Sequence, residues 1–440
     1  MRRLLILMLA GLALLSAAGV LGMMQTRDTF RRAFLHGFPV YEFARMRAAA
    51  IGAPGAAGTA TVNHLVHRPN LTGAADRTVT TPNNDTLYSA AWLDLFGGPV
   101  LLTLPALPTR YHSVALIDVY TDNIAVLGSR DGGGRGGRVI VAGPDWQGSI
   151  PADVRFIRAT TNDLWLLIRV LVTGPDDLAA ARAAQAAFTL DGPAALRPFA
   201  HAVPLNPGPA EFVDVVGEML ARSPTPANAA ARSAGLAAYG VAPGARFAGL
   251  SWWARLVWRL GLPLARARLD NPGGPELAGG WTVPVAGIGN AGENDALRAR
   301  VALVGFGALP AEEAVYYRGI TDGAGQALDG GRRYRLHLGS GGPPVDGFWS
   351  VGIYERTAEG RLYFHANALD RHALGDRSPG LVRNPDGSID ILIQHDAPAG
   401  DRGNWLPAPP GQFELTLRAY LPRQEVRDGR WSPPALNAVP

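Results

Sequence analysis

The hydrophobic pattern of this 440-residue chain changes period twice, and nothing else in the sequence constrains the fold as strongly. Between residues 87 and 172 the apolar residues come in short runs rich in Val, Leu, Ile and aromatics. These runs are Leu87–Leu95, Val100–Leu104, Ser113–Val119, Val139–Val141 and Leu164–Val172. Gly and Pro separate them, as at Gly97-Gly98-Pro99 and Gly143-Pro144. Strands joined by turns read this way. At Gly174-Pro175 the pattern becomes Ala-rich and helical. Asp176 and Asp177 stand where the N-cap and first turn of a helix over 178–188 belong. Further helices are expected over 209–220, 227–239 and 251–262. After Gly280 and one helix over 293–303, strand patterns return at 314–320, 334–338, 347–354, 389–394 and 413–420. The expected fold is mainly β with a helical segment, in several domains. A helix from Thr29 to Ala50 and a β-sandwich fill 29–173, helices fill 174–277, a second β-sandwich fills 278–425, and 426–440 is a tail.

Two residue types are missing, and their absence excludes chemistry. There is no Cys and no Lys, so all 41 basic residues are Arg. Disulfides, thiolate nucleophiles, Cys zinc sites and iron–sulfur clusters are excluded. So are Schiff-base and P-loop lysines. The net charge is +4, and the arginines are scattered rather than gathered in a run. No nucleic-acid partner is expected from such a distribution. At the N-terminus, Met1-Arg2-Arg3 precedes Leu4 to Met24, a stretch without a charged residue. As a helix it would be ~31 Å long, enough to span a bilayer core. It reads either as a signal peptide leaving at Ser16-Ala17-Ala18 or as an uncleaved anchor in the inner membrane through residues 4–24. Both place the rest of the chain in the periplasm, or anchored and facing it, because Arg2 and Arg3 stay cytoplasmic.

Several motifs are set aside. Gly287-Ile288-Gly289-Asn290-Ala291-Gly292 matches a dinucleotide fingerprint, but Pro284 interrupts the strand that should lead into it. A second match, Gly132 to Gly137, falls in a loop. No cofactor is expected. His64, His67, His365, His372 and His395 lack the spacing of a metal-ligand set, and no metal is expected. In 251–262, Trp252, Trp253, Leu256, Val257 and Leu260 fall on one helical face, which reads as core packing rather than as a membrane-lying helix.

Three stretches are more specific. They are Thr81-Pro82-Asn83-Asn84-Asp85-Thr86-Leu87-Tyr88-Ser89, Arg110-Tyr111-His112-Ser113-Val114-Ala115-Leu116-Ile117-Asp118 and Asp346-Gly347-Phe348-Trp349-Ser350-Val351. With Gly143-Pro144-Asp145-Trp146 and Asn404-Trp405-Leu406-Pro407-Ala408-Pro409, the chain resembles the bacterial family that pairs domain of unknown function 1254 with domain of unknown function 1214. The likeness runs from about residue 40 to 422. It implies an immunoglobulin-like sandwich, a helical part and a jelly-roll-like sandwich, and it implies no reaction.

The residues themselves support two readings of function. The first is an exported or membrane-anchored envelope protein that binds a small ligand or an envelope component. The alternative is a cofactor-independent envelope hydrolase or lyase acting on a small organic or glycan substrate where the two β domains meet. Candidate ligand-binding residues are Asn83, Asn84, Asp85 and Tyr88 in one domain and Trp349, Tyr354, Asn404 and Trp405 in the other. Amides and phenols hold polar groups, and indoles stack on flat or sugar-like faces. The expectation is that Asn84, Asp85 and Tyr88 reach Trp349 or Trp405 across the domain junction.

Overall fold

Phe30, Phe34, Phe38 and Tyr41 recur at three- and four-residue steps, which sets them on one stripe of a helix. In the structure, a computed structural model, all four are buried on helix α1 (Arg2–Ile51). Residues 2–51, 61–77, 80–194, 197–270, 277–357 and 360–439 are described, without the side chains of 2–21 and 270. The uncharged stretch from Leu4 therefore lies largely outside the described side chains. Among the described residues, no helix is long and apolar enough to cross a membrane.

Among the described residues nine strands follow: β1 (Val66–Arg68), β2 (Thr86–Asp94), β3 (Val100–Leu104), β4 (His112–Asp118), β5 (Asn123–Gly128), β6 (Gly137–Ala142), β7 (Arg155–Arg158), β8 (Asp163–Leu171) and β9 (Thr189–Asp191). They form a five-stranded sheet, β1-β2-β8-β4-β5, facing a four-stranded sheet, β7-β6-β3-β9. Alternate residues fill the space between, among them Leu93, Val100, Leu102, Leu116, Val141, Leu166 and Ile168.

Helix α2 (Leu178–Ala186) precedes β9, and helices α3 (Pro209–Ala221), α4 (Ala227–Ser233) and α5 (Trp252–Asp270) follow it. With α6 (Asp295–Val304), α3 and α5 enclose the second half of α1. Phe34 and Tyr41 both stack on Phe212 of α3, and Phe30 meets Trp258 of α5 edge-on. The sequence reading of α5 needs correction. Ala254, Trp258 and Leu262 are its buried face, whereas Trp252, Trp253 and Leu260 are exposed. Both faces are apolar, so periodicity alone does not say which one packs inward.

The C-terminal part comprises β10 (Leu277–Ala278), β11 (Trp281–Thr282), β12 (Ala314–Gly319), β13 (Arg333–Leu338), β14 (Val345–Arg356), β15 (Leu362–Tyr363), β16 (Ala373–Gly375), β17 (Ile389–Gln394), β18 (Trp405–Pro407), β19 (Phe413–Pro422) and β20 (Asn437–Val439). The order β10-β11-β12-β19-β14-β15, with β16 also on β14, makes a seven-stranded sheet. It faces β18-β17-β13-β20 across a core that includes Leu336, Trp349, Val351, Ile391, Leu415 and Leu417. The chain beyond 425, read from its sequence as a tail, supplies edge strand β20, and Leu436 is buried beside it.

The Gly287 to Gly292 segment is a turn between β11 and α6, and among the described residues no parallel sheet surrounds it. The Gly289 carbonyl accepts the backbone N–H and side-chain amide of Asn123, both from β5. Gly289 has φ 79°. A Cβ there would come within 2.6 Å of the Pro310 nitrogen, so close backbone approach explains this glycine.

The two sandwiches meet sheet to sheet. The outer faces of β4 and β8 pack through Ala115, Ile117 and Leu171 against Ala314, Phe348 and Tyr420 of β12, β14 and β19. What lies beside this apolar contact, between the same two sheets, is polar.

Candidate functional site

The site follows from the two-residue repeat of five strands. On β19, Leu415, Leu417 and Ala419 point into the C-terminal core, so Thr416, Arg418 and Tyr420 point to the junction. On β14 the same rule sends Trp349 and Val351 inward and Phe348, Ser350 and Tyr354 outward. Tyr316 of β12, Arg418 and Ser350 are cross-strand neighbours and form one row. On the facing sheet Tyr88 of β2 and Arg169 of β8 are also partners, with the guanidinium 5.4 Å from the Tyr88 ring centre. Thr86 is on this face too, opposite Leu171.

The segment Thr81 to Asp85 fastens one row to the other. The Pro82 carbonyl accepts from Tyr354 Oη at 2.7 Å and from Arg418 Nη2 at 3.1 Å. Arg418 Nη2 also donates to the Thr81 carbonyl at 3.3 Å. Thr81 has φ 53°, a conformation uncommon for a β-branched residue. Asn83 Nδ2 donates to Tyr420 Oη at 2.6 Å, and Asn83 Oδ1 accepts the Asp85 N–H at 2.5 Å. Ser350 Oγ donates to Asp85 Oδ2 at 2.7 Å. A neighbouring contact completes the junction: Glu313 accepts from Tyr111 Oη and from Arg130 Nε.

The electrostatics favour an anion. Arg169 and Arg418 are 6% and 4% exposed, and guanidinium stays protonated in proteins. Asp85 is the carboxylate that Arg418 faces most closely in charge terms. Burial pushes its pKa above the ordinary aspartate value, against the pull of Arg418 and the Ser350 hydroxyl. Burial likewise carries the Tyr354 phenol to about 12, with Arg418 opposing. Arg169 Nη2 donates to the Gly307 carbonyl at 2.8 Å. Among the described residues, its Nη1 has no hydrogen-bond partner, and neither do the buried hydroxyls of Thr86 and Thr416. Three unpaired polar atoms on facing sheets are unusual, since buried polar groups are nearly always paired. Asp85, Tyr88 and Tyr316 remain half-buried.

The structure thus brings Asn83, Asp85, Tyr88 and Tyr354 together and leaves four other expected residues elsewhere. Asn84 donates to the Thr72 carbonyl, in the loop that follows β1. Trp349 is 1% exposed in the C-terminal core, one residue out of phase with the junction face. Asn404 binds the Val382 and Asp390 carbonyls, and Trp405 Nε1 binds the Gln394 carbonyl, both on the far sheet. The C-terminal side of the junction is therefore Ser350, Arg418, Tyr420 and Tyr316, with Arg169 opposite, and sequence reasoning missed all five. The available signal was a lone arginine inside an apolar strand, as in Leu166-Leu167-Ile168-Arg169-Val170 and Leu415-Thr416-Leu417-Arg418-Ala419.

Comparison with known proteins agrees with this division. The model for "Protein of unknown function (DUF1254)" matches residues 62–192, and that for "Protein of unknown function (DUF1214)" matches 313–424. The crystal structure of the VPA0106 protein from Vibrio parahaemolyticus is similar over 94% of this chain and 99% of its own, with TM-score 0.74 and 23% identity. An uncharacterised protein from Burkholderia cenocepacia is a weaker match, with TM-score 0.44 and 13% identity over 96% and 98% of the two chains. No curated protein matches the chain. The junction site lies between the two matched domains, and the chain belongs to the family that joins a DUF1254 domain to a DUF1214 domain.

Proposed function

We propose that this is an exported or membrane-anchored envelope protein that binds a small anionic organic molecule between its two sandwiches. One observation carries the ligand reading. Arg169 Nη1 is buried without a partner, on a face that looks across Tyr88 and Tyr316 toward Arg418. Arg130, Arg169 and Arg418 against Asp85 and Glu313, two carboxyls whose pKa burial raises, leave the junction net positive. The phenols of Tyr88 and Tyr316 offer flat apolar surface with a polar tip. A small carboxylate fits that chemistry, with guanidinium donors for its oxygens and a ring for its body.

Thermal unfolding tests the reading with benzoate, glucuronate and succinate against benzamide, glucose and succinamide. A binding carboxylate at a hundred times its Kd stabilises by about 2.7 kcal/mol. Arg169→Gln should weaken that ligand at least tenfold while leaving the free protein folded by circular dichroism. Equal shifts with the neutral compounds, or a shift that survives Arg169→Gln, would overturn the proposal.

A second reading draws on the Ser350–Asp85 hydrogen bond. Here a carboxyl of raised pKa beside a hydroxyl serves as the acid–base group of a hydrolase or lyase. Its mark is turnover of a bound carboxylate that Asp85→Asn abolishes while binding persists.

The envelope location draws on Leu4 to Met24 and the preceding arginines. In fractionated cells the chain is expected in the periplasm or the inner-membrane pellet. A soluble cytoplasmic pool with an intact N-terminus contradicts that expectation.

A further inference from the structure

Helix α5 carries an apolar face that no described part of the chain covers. Trp252, Trp253, Leu256, Leu260 and Leu264 are 70%, 43%, 36%, 66% and 64% exposed. At ~100° per residue they share one side of the helix, opposite buried Ala254, Trp258 and Leu262. Arginines border this side. Arg255, Arg259 and Arg266 fall along one edge and Arg268 along the other, and no acidic residue occurs between 252 and 269.

The position of the face is equally informative. Trp258 packs on Phe30 at 4.9 Å between ring centres, and Arg266 lies 5.1 Å over the Phe38 ring. Eight residues along α5 match eight along α1, so the two helices run side by side in the same direction. Trp252 stands six residues, about 9 Å, before Trp258. The tryptophan pair therefore sits level with Met23 and Met24, where α1 enters the folded body, and those methionines are 63% and 58% exposed. Beside the arginine edge a cleft of about 210 Å³ opens, lined by Phe34, Phe212, Arg259, Leu262 and Arg266 and by the start of α3.

We propose that this face of α5 binds the surface of an anionic lipid bilayer. Tryptophan and leucine flanked by arginine is the composition of helices that lie in a membrane interface. Tryptophan concentrates at the headgroup level, and arginine keeps its charge among anionic headgroups while its stem follows the apolar layer. The cleft at Arg259 and Arg266 gives a headgroup phosphate room beside two guanidiniums. A second copy of the chain fits less well, because a two-fold pairing of this face sets arginine edges near arginine edges. The proposal rests on the envelope location only in that it places a membrane within reach.

The absence of cysteine makes the test specific. Leu260→Cys in the full chain takes a single environment-sensitive fluorophore, and Gln147→Cys on an exposed loop is the control. Both are mixed with phosphatidylglycerol/phosphatidylcholine vesicles or with phosphatidylcholine alone, and co-sedimentation records whether the chain is bound. The expected result is a blue shift and several-fold brightening at residue 260 with the anionic vesicles. The effect should be weaker without phosphatidylglycerol, reduced by Arg259→Gln with Arg268→Gln, and absent at residue 147. A chain that sediments while residue 260 stays unchanged is held by its N-terminus alone, and that result overturns the proposal without touching the envelope location. Failure to sediment overturns it too. A shift that needs no vesicles and grows with protein concentration assigns the face to a second copy.

Discussion

Asp163→Ala is expected to lower the unfolding free energy by about 3–5 kcal/mol, the cost of stranding buried cations. Asp163 is fully buried and accepts from Arg222 Nε and Nη2 at 2.8 and 2.9 Å. Arg47 of α1, also fully buried, lies 3.3 Å away through Nε, close enough for attraction but without hydrogen-bond geometry. Asp94 shares the same arginines and takes both its oxygens to Arg197 Nε at 2.9 Å. Without Asp163, three guanidiniums face one carboxylate. The readout is the transition containing the N-terminal sandwich, which should move by about 2–4 °C per kcal/mol. A loss under 1 kcal/mol would mean that the network behaves like exposed pairs. Acid supplies a second check. Burial opposes the Asp94 charge, but Arg197 and Arg222 outweigh it and hold its pKa below the ordinary value. A depressed folded pKa gives stability that is complete above ~3.9, the unfolded value, and lost as pH falls below it. Asp177, held at about 2 by Arg110, adds a loss in the same window.

What the sequence made legible, and what it hid, has a common cause in the two-residue repeat. The strands from 87 to 172 and from 314 to 420 were readable because runs of β-branched and aromatic residues, cut short by Gly and Pro, are too brief for buried helices. Asn83, Asp85 and Tyr88 were readable because their motif concentrates polar side chains ahead of a strand. Phase was not readable. β14 is buried on both sides, so hydrophobicity does not separate Trp349, which faces the C-terminal core, from Phe348 and Ser350, which face the junction. The same blindness hid Arg169 and Arg418, each the lone arginine of a strand whose neighbouring residues are mostly apolar. On α5 it acted in reverse, because a helix apolar on two sides does not declare which side packs.

Arg418→Met is the substitution that most directly separates holding the domains together from binding a ligand. Arg418 is the cation nearest Asp85 in electrostatic terms, and it also donates to the Thr81 and Pro82 carbonyls of the other domain. Its removal leaves those carbonyls a donor short and a half-buried carboxylate without its counter-charge, a loss of about 2–5 kcal/mol at an interface of this kind. Part of that loss should depend on pH. Arg418 pulls the Asp85 pKa down against burial, so in the variant it rises further. A raised folded pKa costs stability once pH exceeds the unfolded value of ~3.9. The deficit relative to wild type should therefore be smallest near pH 4 and grow toward neutrality. Asp85→Asn in the same chain removes the stranded charge and should recover this pH-dependent part, a coupling that a double-mutant cycle measures directly. Carboxylate binding should not recover, because the double variant has regained neutrality at Asp85 and not the guanidinium. A deficit independent of pH, unchanged by Asp85→Asn, would reduce Arg418 to a packing residue. Binding restored in the double variant would instead place the anion's partner elsewhere in the junction, with Arg169 as the group left to supply it.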